Sequence, residues 1–206
     1  KLIQISFMQS TRTNKTKLIL GSASPFRKKI LEDAGFVFNV KASDIDEKQI
    51  SNTDFKKLVL DLGLAKLDAI LSKNKFRSDT IIITSDLVVS HNGKLREKPI
   101  SKQEVISWHQ QYQKGGNTVV YCSLVVYHVG LNKILKTVDT AAIKWGKIPK
   151  RVIYQMADDP TTYKGAGFVD RSFFHYAKSL KGHIDTVQGV PVRILEDFLE
   201  KLGYFK

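Results

Sequence analysis

Apolar positions along the chain follow two different periods. Continuous apolar runs mark strands at KLILGS (17–22), TIIITSDLVVSH (80–91), NTVVYCSLVVYHVG (117–130) and KILKTVDTAAIKW (133–145). Asn92-Gly93 reads as a two-residue hairpin turn, and the stretch around Gly130 and Asn132 as a second turn. Helical spacing marks 26–34, 53–73, 101–113, 149–157 and 191–202. In the last of these Val192, Ile194, Leu195, Phe198, Leu199 and Leu202 recur at helical spacing after the segment Asp185 to Pro191. Ser101 with Glu104 forms a capping box that starts the third helix. Strands and helices alternate early and a long hairpin fills the middle, so the class is α/β with a mixed sheet.

Composition narrows this little. The chain has 206 residues, 42% hydrophobic and 26% charged, which suits one globular domain. No apolar run approaches the roughly 20 residues of a membrane span. Residues 1–16 read as an N-terminal extension without signal-peptide features, and 17–206 as the folded domain. Cys122 is the only cysteine, which excludes an intrachain disulfide and points to a reducing, cytoplasmic setting. The five histidines lack metal-ligand spacing, so zinc is not expected. The net charge of +13 favours anionic ligands, but the lysines are scattered along the chain, so nucleic acid is not an expected partner.

A few residues break the patterning. Asp86 sits inside the apolar run IIITSDLVV, where an ionised carboxylate is costly unless paired or metal-bound. It is either a structural carboxylate at a bulge, or a metal ligand or general base facing a cleft. Asp44, Asp46 and Glu47 form an acidic group that is a solvated loop or, with Asp86, part of a Mg²⁺ site. Lys66 follows Val59 and Leu62 on an apolar helical stripe, so its amine either snorkels to water or reaches a phosphate. Lys98, in LREKP, reads as an ordinary strand-end lysine. GSASP (21–25) lacks the spacing of a Walker A loop. Its hydroxyls, the helix N-terminus it starts and Arg27 nevertheless make it either an anion site or a plain strand-to-helix connection.

Taken in order, LILGSASPFRKKILEDAGFVF, SDIDE, LAKLDAI, ITSDLVV, REKP and TVQGVP resemble the Maf family of nucleoside triphosphate pyrophosphatases, from about Lys17 to Leu202. The resemblance implies an α/β fold with a bent mixed sheet, flanking helices and two lobes around a central cleft, often in a homodimer. It implies hydrolysis of a nucleoside triphosphate to monophosphate and pyrophosphate with a divalent metal, Mg²⁺ or Mn²⁺. By position, Ser22 and Arg27 match phosphate-binding residues, Lys66 and Lys98 the two phosphate-contacting lysines, and Asp86 the proton acceptor. Asp86 and Glu47 match the metal-holding acids, with Asp86, Glu47 and Lys98 as the catalytic set.

Departures from the family pattern fall at substrate-selecting positions. Phe26 precedes Arg27 where Arg is commonest, and Ser85-Asp86-Leu87 replaces Ala-Asp-Thr. Phe26 and Ser85 lean toward the branch acting on 7-methyl-GTP, and Leu87 fits neither pattern. After Ala166-Gly167, Ser172 stands where Gln or Glu is expected, with Asp170 the nearest acid. Phe26, Leu87 and Ser172 are therefore the expected substrate-selecting positions, with Phe26 expected to stack on the base. The rival to a pyrophosphatase is a nucleotide- or nucleic-acid-binding protein on the same fold without turnover.

Overall fold

The computed structural model describes residues 16–168 and 171–205. The expected N-terminal extension, apart from Thr16, lies outside the described residues. Strand β1 (Lys17–Leu20) runs parallel to β2 (Phe38–Val40) on one side and to β3 (Thr80–Thr84) on the other. Between β1 and β2 lies helix α1 (Pro25–Asp33), and between β2 and β3 lies helix α2 (Phe55–Lys73). These are the crossovers that parallel pairing requires. Helix α1 stops at Gly35, whose φ of +81° suits glycine, while the Phe36 N–H returns to the Leu31 carbonyl at 3.0 Å.

The rest of the sheet is antiparallel. β6 (Thr118–His128) and β7 (Lys133–Trp145) form the long central hairpin, with His128 opposite Lys133. β4 (Leu87–His91) and β5 (Lys94–Arg96) form the Asn92-Gly93 hairpin, where both turn residues have positive φ. An edge strand, β8 (Ala177–Lys181), pairs with β7 and was not legible in its polar sequence. The order β2-β1-β3-β6-β4-β5, with β7 on the other edge of β6, is an open mixed sheet flanked by helices.

One departure from the expected strands matters for function. The apolar run 80–91 is not a single strand: it is interrupted at Ser85-Asp86 and resumes as β4. Its register on β6 is unchanged across the gap, since Thr84 faces Val125 and Leu87 faces Cys122. The far edge of β3 carries β1, and the far edge of β4 carries β5. The sheet therefore has two halves that share β6, and Asp86 sits at the seam.

Each half has its own core. Over the first, Leu67 and Ile70 of α2 pack on Ile19, Ile82 and Val125. On the opposite face Leu31 of α1 and Leu195 and Leu199 of α5 (Val192–Lys201) pack on Leu18, Leu20, Ile81, Ile83, Leu124 and Val126. Over the second half α3 (Lys102–Gln113) contributes Trp108 and Tyr112, and α4 (Lys150–Asp158) contributes Ile153 and Met156, against Val89, Val120, Ile143 and Trp145. The capping box at α3 forms with a shift. Ser101 Oγ accepts the Glu104 N–H at 3.2 Å, but the Glu104 carboxylate takes the N–H of Ile100, one residue earlier, at 2.8 Å.

Helix α2 packs against β6 at Gly63, where there is no room for a side chain. A Cβ there would stand 2.7 Å from Ser123 Oγ and 3.2 Å from Val125 Cγ2, and the Gly63 carbonyl accepts the Thr84 hydroxyl at 2.7 Å. Alanine normally stabilises a helix interior by about 1 kcal/mol over glycine. At Gly63 the overpacking cost of about 1–3 kcal/mol wins. Gly63→Ala is thus expected to lower the unfolding free energy by about 1 kcal/mol in urea titration, and a gain in stability would show that the helix simply lifts away.

Candidate active site

The chain leaves β1 through Gly21, where a Cβ would lie 2.4 Å from Ile70 Cδ1 and 2.6 Å from Thr84 Cγ2. Only a bare backbone passes there. The Gly21 N–H still bonds the Ile83 carbonyl at 2.7 Å, and the turn then swings into α1, with Ser24 as its N-cap and Pro25 in its first turn. Within this turn Ser22 Oγ accepts from the Ser24 N–H and from Arg27 Nη1, each at 3.2 Å.

Arg27 is the hinge of the arrangement. Besides Ser22 it donates through Nη2 to Asp86 Oδ1 at 3.0 Å and through Nε to the Gly189 carbonyl at 3.3 Å. Lys66, one helical turn beyond Gly63, points from α2 at the same carboxylate, with Nζ 2.5 Å from Asp86 Oδ2. Its second partner is Glu47 Oε1 at 2.7 Å. Lys66 is 5% exposed, so its amine does not snorkel to water. Glu47 comes from a short 3₁₀ turn (Glu47–Gln49) capped by Asp46, while Asp44 stays exposed beside Lys73. Of the acidic group only Glu47 joins the cluster.

Asp86 is 6% exposed, and burial by itself pushes its carboxyl toward protonation. The Arg27 and Lys66 charges, the hydrogen bond from Lys66 and that from the Leu87 N–H outweigh burial and hold it below the usual carboxylate range. The site therefore contains two cations and two carboxylates, interleaved as Arg27–Asp86–Lys66–Glu47.

The other expected residues surround this cluster or stand apart from it. Phe26, in the first turn of α1, is 40% exposed. Leu87 opens β4, is partly buried, and donates its N–H to Asp86 Oδ1 at 2.7 Å. Lys98 is exposed just after β5 and makes no ion pair among the described residues. Ser172 lies in the turn Arg171–Tyr176 with its side chain outside the described residues, as is all of Asp170. Lys28 and Lys29 are surface charges that pair with Glu32 and Asp33 along the helix.

The structure gives packing roles to residues that the hydrophobic pattern alone did not single out. Ser85 is fully buried, with Oγ 2.6 Å from the Ser123 carbonyl and 2.7 Å from the Gly189 carbonyl. Gly189 presents that carbonyl, which also receives Arg27, from a left-handed turn with φ of +95°. Arg193 pairs with Asp139 of β7 and, at 3.5 Å, with Asp185, which fixes the ends of this turn. A signal existed: TVQGVPVR places a glycine and a charge around a proline. Cys122, beside Ser85, has its thiol pushed up to about 12 by burial and stays protonated.

Hard oxygen donors for a metal are Asp86 and Glu47, both now directed at Lys66 Nζ. Among the described residues no group of three or more His, Cys, Asp or Glu side chains is assembled for a metal. A divalent ion here would rest on two carboxylates and need phosphate or water oxygens to complete its shell, as Mg²⁺ commonly does.

The family model for Maf-like protein matches residues 17–202, and the chain belongs to that family. It is 32% identical over 192 residues to the 7-methyl-GTP pyrophosphatase of Dictyostelium discoideum, covering 90% of this chain and 97% of that one. It is 33% identical to a nucleoside triphosphate pyrophosphatase of Chlamydia pneumoniae, over 90% of this chain and 94% of the relative. To the dTTP/UTP pyrophosphatase of Clostridium acetobutylicum it is 30% identical, over 91% and 98% of the two chains.

Because the folded Asp86 titrates below its unfolded value of about 3.9, its contribution is present above that pH and lost as pH falls through the folded value. Removing one partner of a buried ion pair costs about 3–5 kcal/mol. Asp86→Asn should therefore be clearly less stable than wild type in urea at pH 7. The gap should narrow below about pH 4, where protonation removes the wild-type advantage. A gap that does not change between pH 7 and pH 3 would contradict the ion-pair account.

Proposed function

We propose that this chain is a nucleoside triphosphate pyrophosphatase, releasing a nucleoside monophosphate and pyrophosphate. The observation that carries the reading is Asp86, a buried carboxylate flanked by Arg27 and Lys66 at the seam of the sheet. A triphosphate competes for both cations, and Ser22 and the N-terminal N–H groups of α1 offer it further donors. With its cations drawn to the phosphates, Asp86 becomes a stronger base. It takes a proton from a water molecule as the water oxygen bonds to phosphorus and the anhydride P–O bond breaks. Arg27 and Lys66 neutralise the charge on the departing pyrophosphate, and Lys98, exposed just after β5, is assigned to the same task.

A divalent metal, Mg²⁺ or Mn²⁺, belongs to this proposal, with Asp86 and Glu47 as the residues that would hold it. When bound it would supply Lewis-acid charge at the phosphate oxygens. The similarity to pyrophosphatases and the Arg27–Asp86–Lys66–Glu47 cluster favour turnover over simple nucleotide binding. No helix among the described residues is long and apolar enough to cross a membrane.

Pyrophosphate release should be seen with at least one member of a panel containing 7-methyl-GTP, dTTP and UTP, and chelation of divalent cations should abolish it. Asp86→Asn should lower kcat by about 100-fold or more, the range for a lost general base. Equal activity in the variant would reject this mechanism, and a wild type inactive on every triphosphate would favour the binding protein.

Phe26 is the proposed base contact, since an exposed ring stacks more strongly on a cationic methylated purine than on a neutral base. The Dictyostelium relative makes 7-methyl-GTP the first substrate to try. In Phe26→Ala, kcat/KM for 7-methyl-GTP should fall about 5-fold or more relative to dTTP. An unchanged ranking would remove Phe26 from substrate selection.

A further inference from the structure

The interruption between β3 and β4 has a specific cause. At positions 80 and 92, on either side of it, the chain makes narrow-pair ladder bonds to β6 or its ends: Val129 N–H to the Thr80 carbonyl at 3.0 Å and Asn92 N–H to the Asn117 carbonyl at 3.0 Å. Asp86 has the same parity, and its pair with Ser123 should exchange two backbone bonds. One is present, from the Ser123 N–H to the Asp86 carbonyl at 2.9 Å. The other is diverted. The Asp86 N–H donates to Ser123 Oγ at 2.9 Å, and the Ser123 carbonyl is taken by the Ser85 hydroxyl at 2.6 Å.

This exchange breaks the strand without breaking the register. It satisfies both buried backbone groups while turning residue 86 out of the ladder, with its carboxylate between Lys66 and Arg27. Ser123 has little freedom to do otherwise, because α2 is pressed against it at Gly63. We infer that Ser123 is a positioning residue for Asp86, its hydroxyl holding the proton-accepting carboxylate in place by diverting the Asp86 N–H from the β-ladder. The inference rests on the pyrophosphatase reading for its kinetic consequence, but not for its structural one.

Ser123→Ala tests it, and the structure explains why that variant should fold. Ser85 Oγ also lies 2.7 Å from the Gly189 carbonyl, so its single proton can move there and leave the residue-123 carbonyl open to the Asp86 N–H. The strand then closes and the carboxylate shifts, with no buried group unpaired. The expected result is kcat about 10-fold lower with KM within about twofold and a nearly unchanged melting temperature, since small misplacements at a reacting centre carry large rate costs. A crystal structure of the variant should show the Asp86 N–H bonded to the residue-123 carbonyl and the Lys66 contact lengthened. Unchanged kcat, or a fall in kcat explained by a large loss of melting temperature, would overturn the inference. A wild type that hydrolyses no triphosphate would reject the pyrophosphatase instead, and the crystal structure would still decide the role of Ser123.

Discussion

The ion pairs around Asp86 are the constraint on which the rest of this structure depends. A buried carboxylate loses several kcal/mol of hydration, and only well-placed partners recover it. Here they come from three directions: Arg27 from α1, Lys66 from α2 and the Leu87 N–H from the start of β4. Any displacement of α1 or α2 therefore leaves a charge buried without a partner. Glu47 extends the same logic, because one carboxylate shared with Arg27 does not fully compensate an ammonium that is itself 5% exposed.

Three glycines make the convergence sterically possible. Gly21 lets the chain leave β1 between Ile70 and Thr84, and Gly63 lets α2 sit close enough for Lys66 to reach the seam. Gly189 turns a carbonyl toward both Arg27 and Ser85, and Arg193 with Asp139 and Asp185 braces that turn. Backbone shape and charge placement are thus one problem. The glycines supply the approach, and the ion pairs fix its end point.

How much of this was legible in the sequence depends on whether a residue contradicts its surroundings. Asp86 in an apolar run and Lys66 on an apolar stripe did so, and both proved to be buried and paired with each other. Arg27 opposes the dipole of its own helix, and Asp86 relieves that conflict. Which acid of the group 44–47 would matter was not readable, because the choice rests on the 3₁₀ turn that aims Glu47. The break at Ser85-Asp86 was hidden for a different reason. Its register is preserved, so the apolar pattern of 80–91 reads as one strand, and a serine at 123 in a long strand raises no flag. Lys98 was placed by resemblance alone, and its exposed position after β5 shows why no local pattern marked it.

Charge acts on two scales in this protein. The excess of 33 Lys and Arg over 20 Asp and Glu gives a field that draws polyanions from a distance. Close in, the field gives no selectivity, because Arg27 and Lys66 are already matched by Asp86 and Glu47. An anion must exchange with a built-in carboxylate for each contact it gains. A singly charged anion gains one contact and leaves a carboxylate stranded. In the proposed reaction a triphosphate would engage both cations together, and the carboxylate it displaces is the one that reaction needs as a base. On that proposal the resting ion pairs would be a filter as well as a support: the exchange that admits the substrate would be the same exchange that frees Asp86.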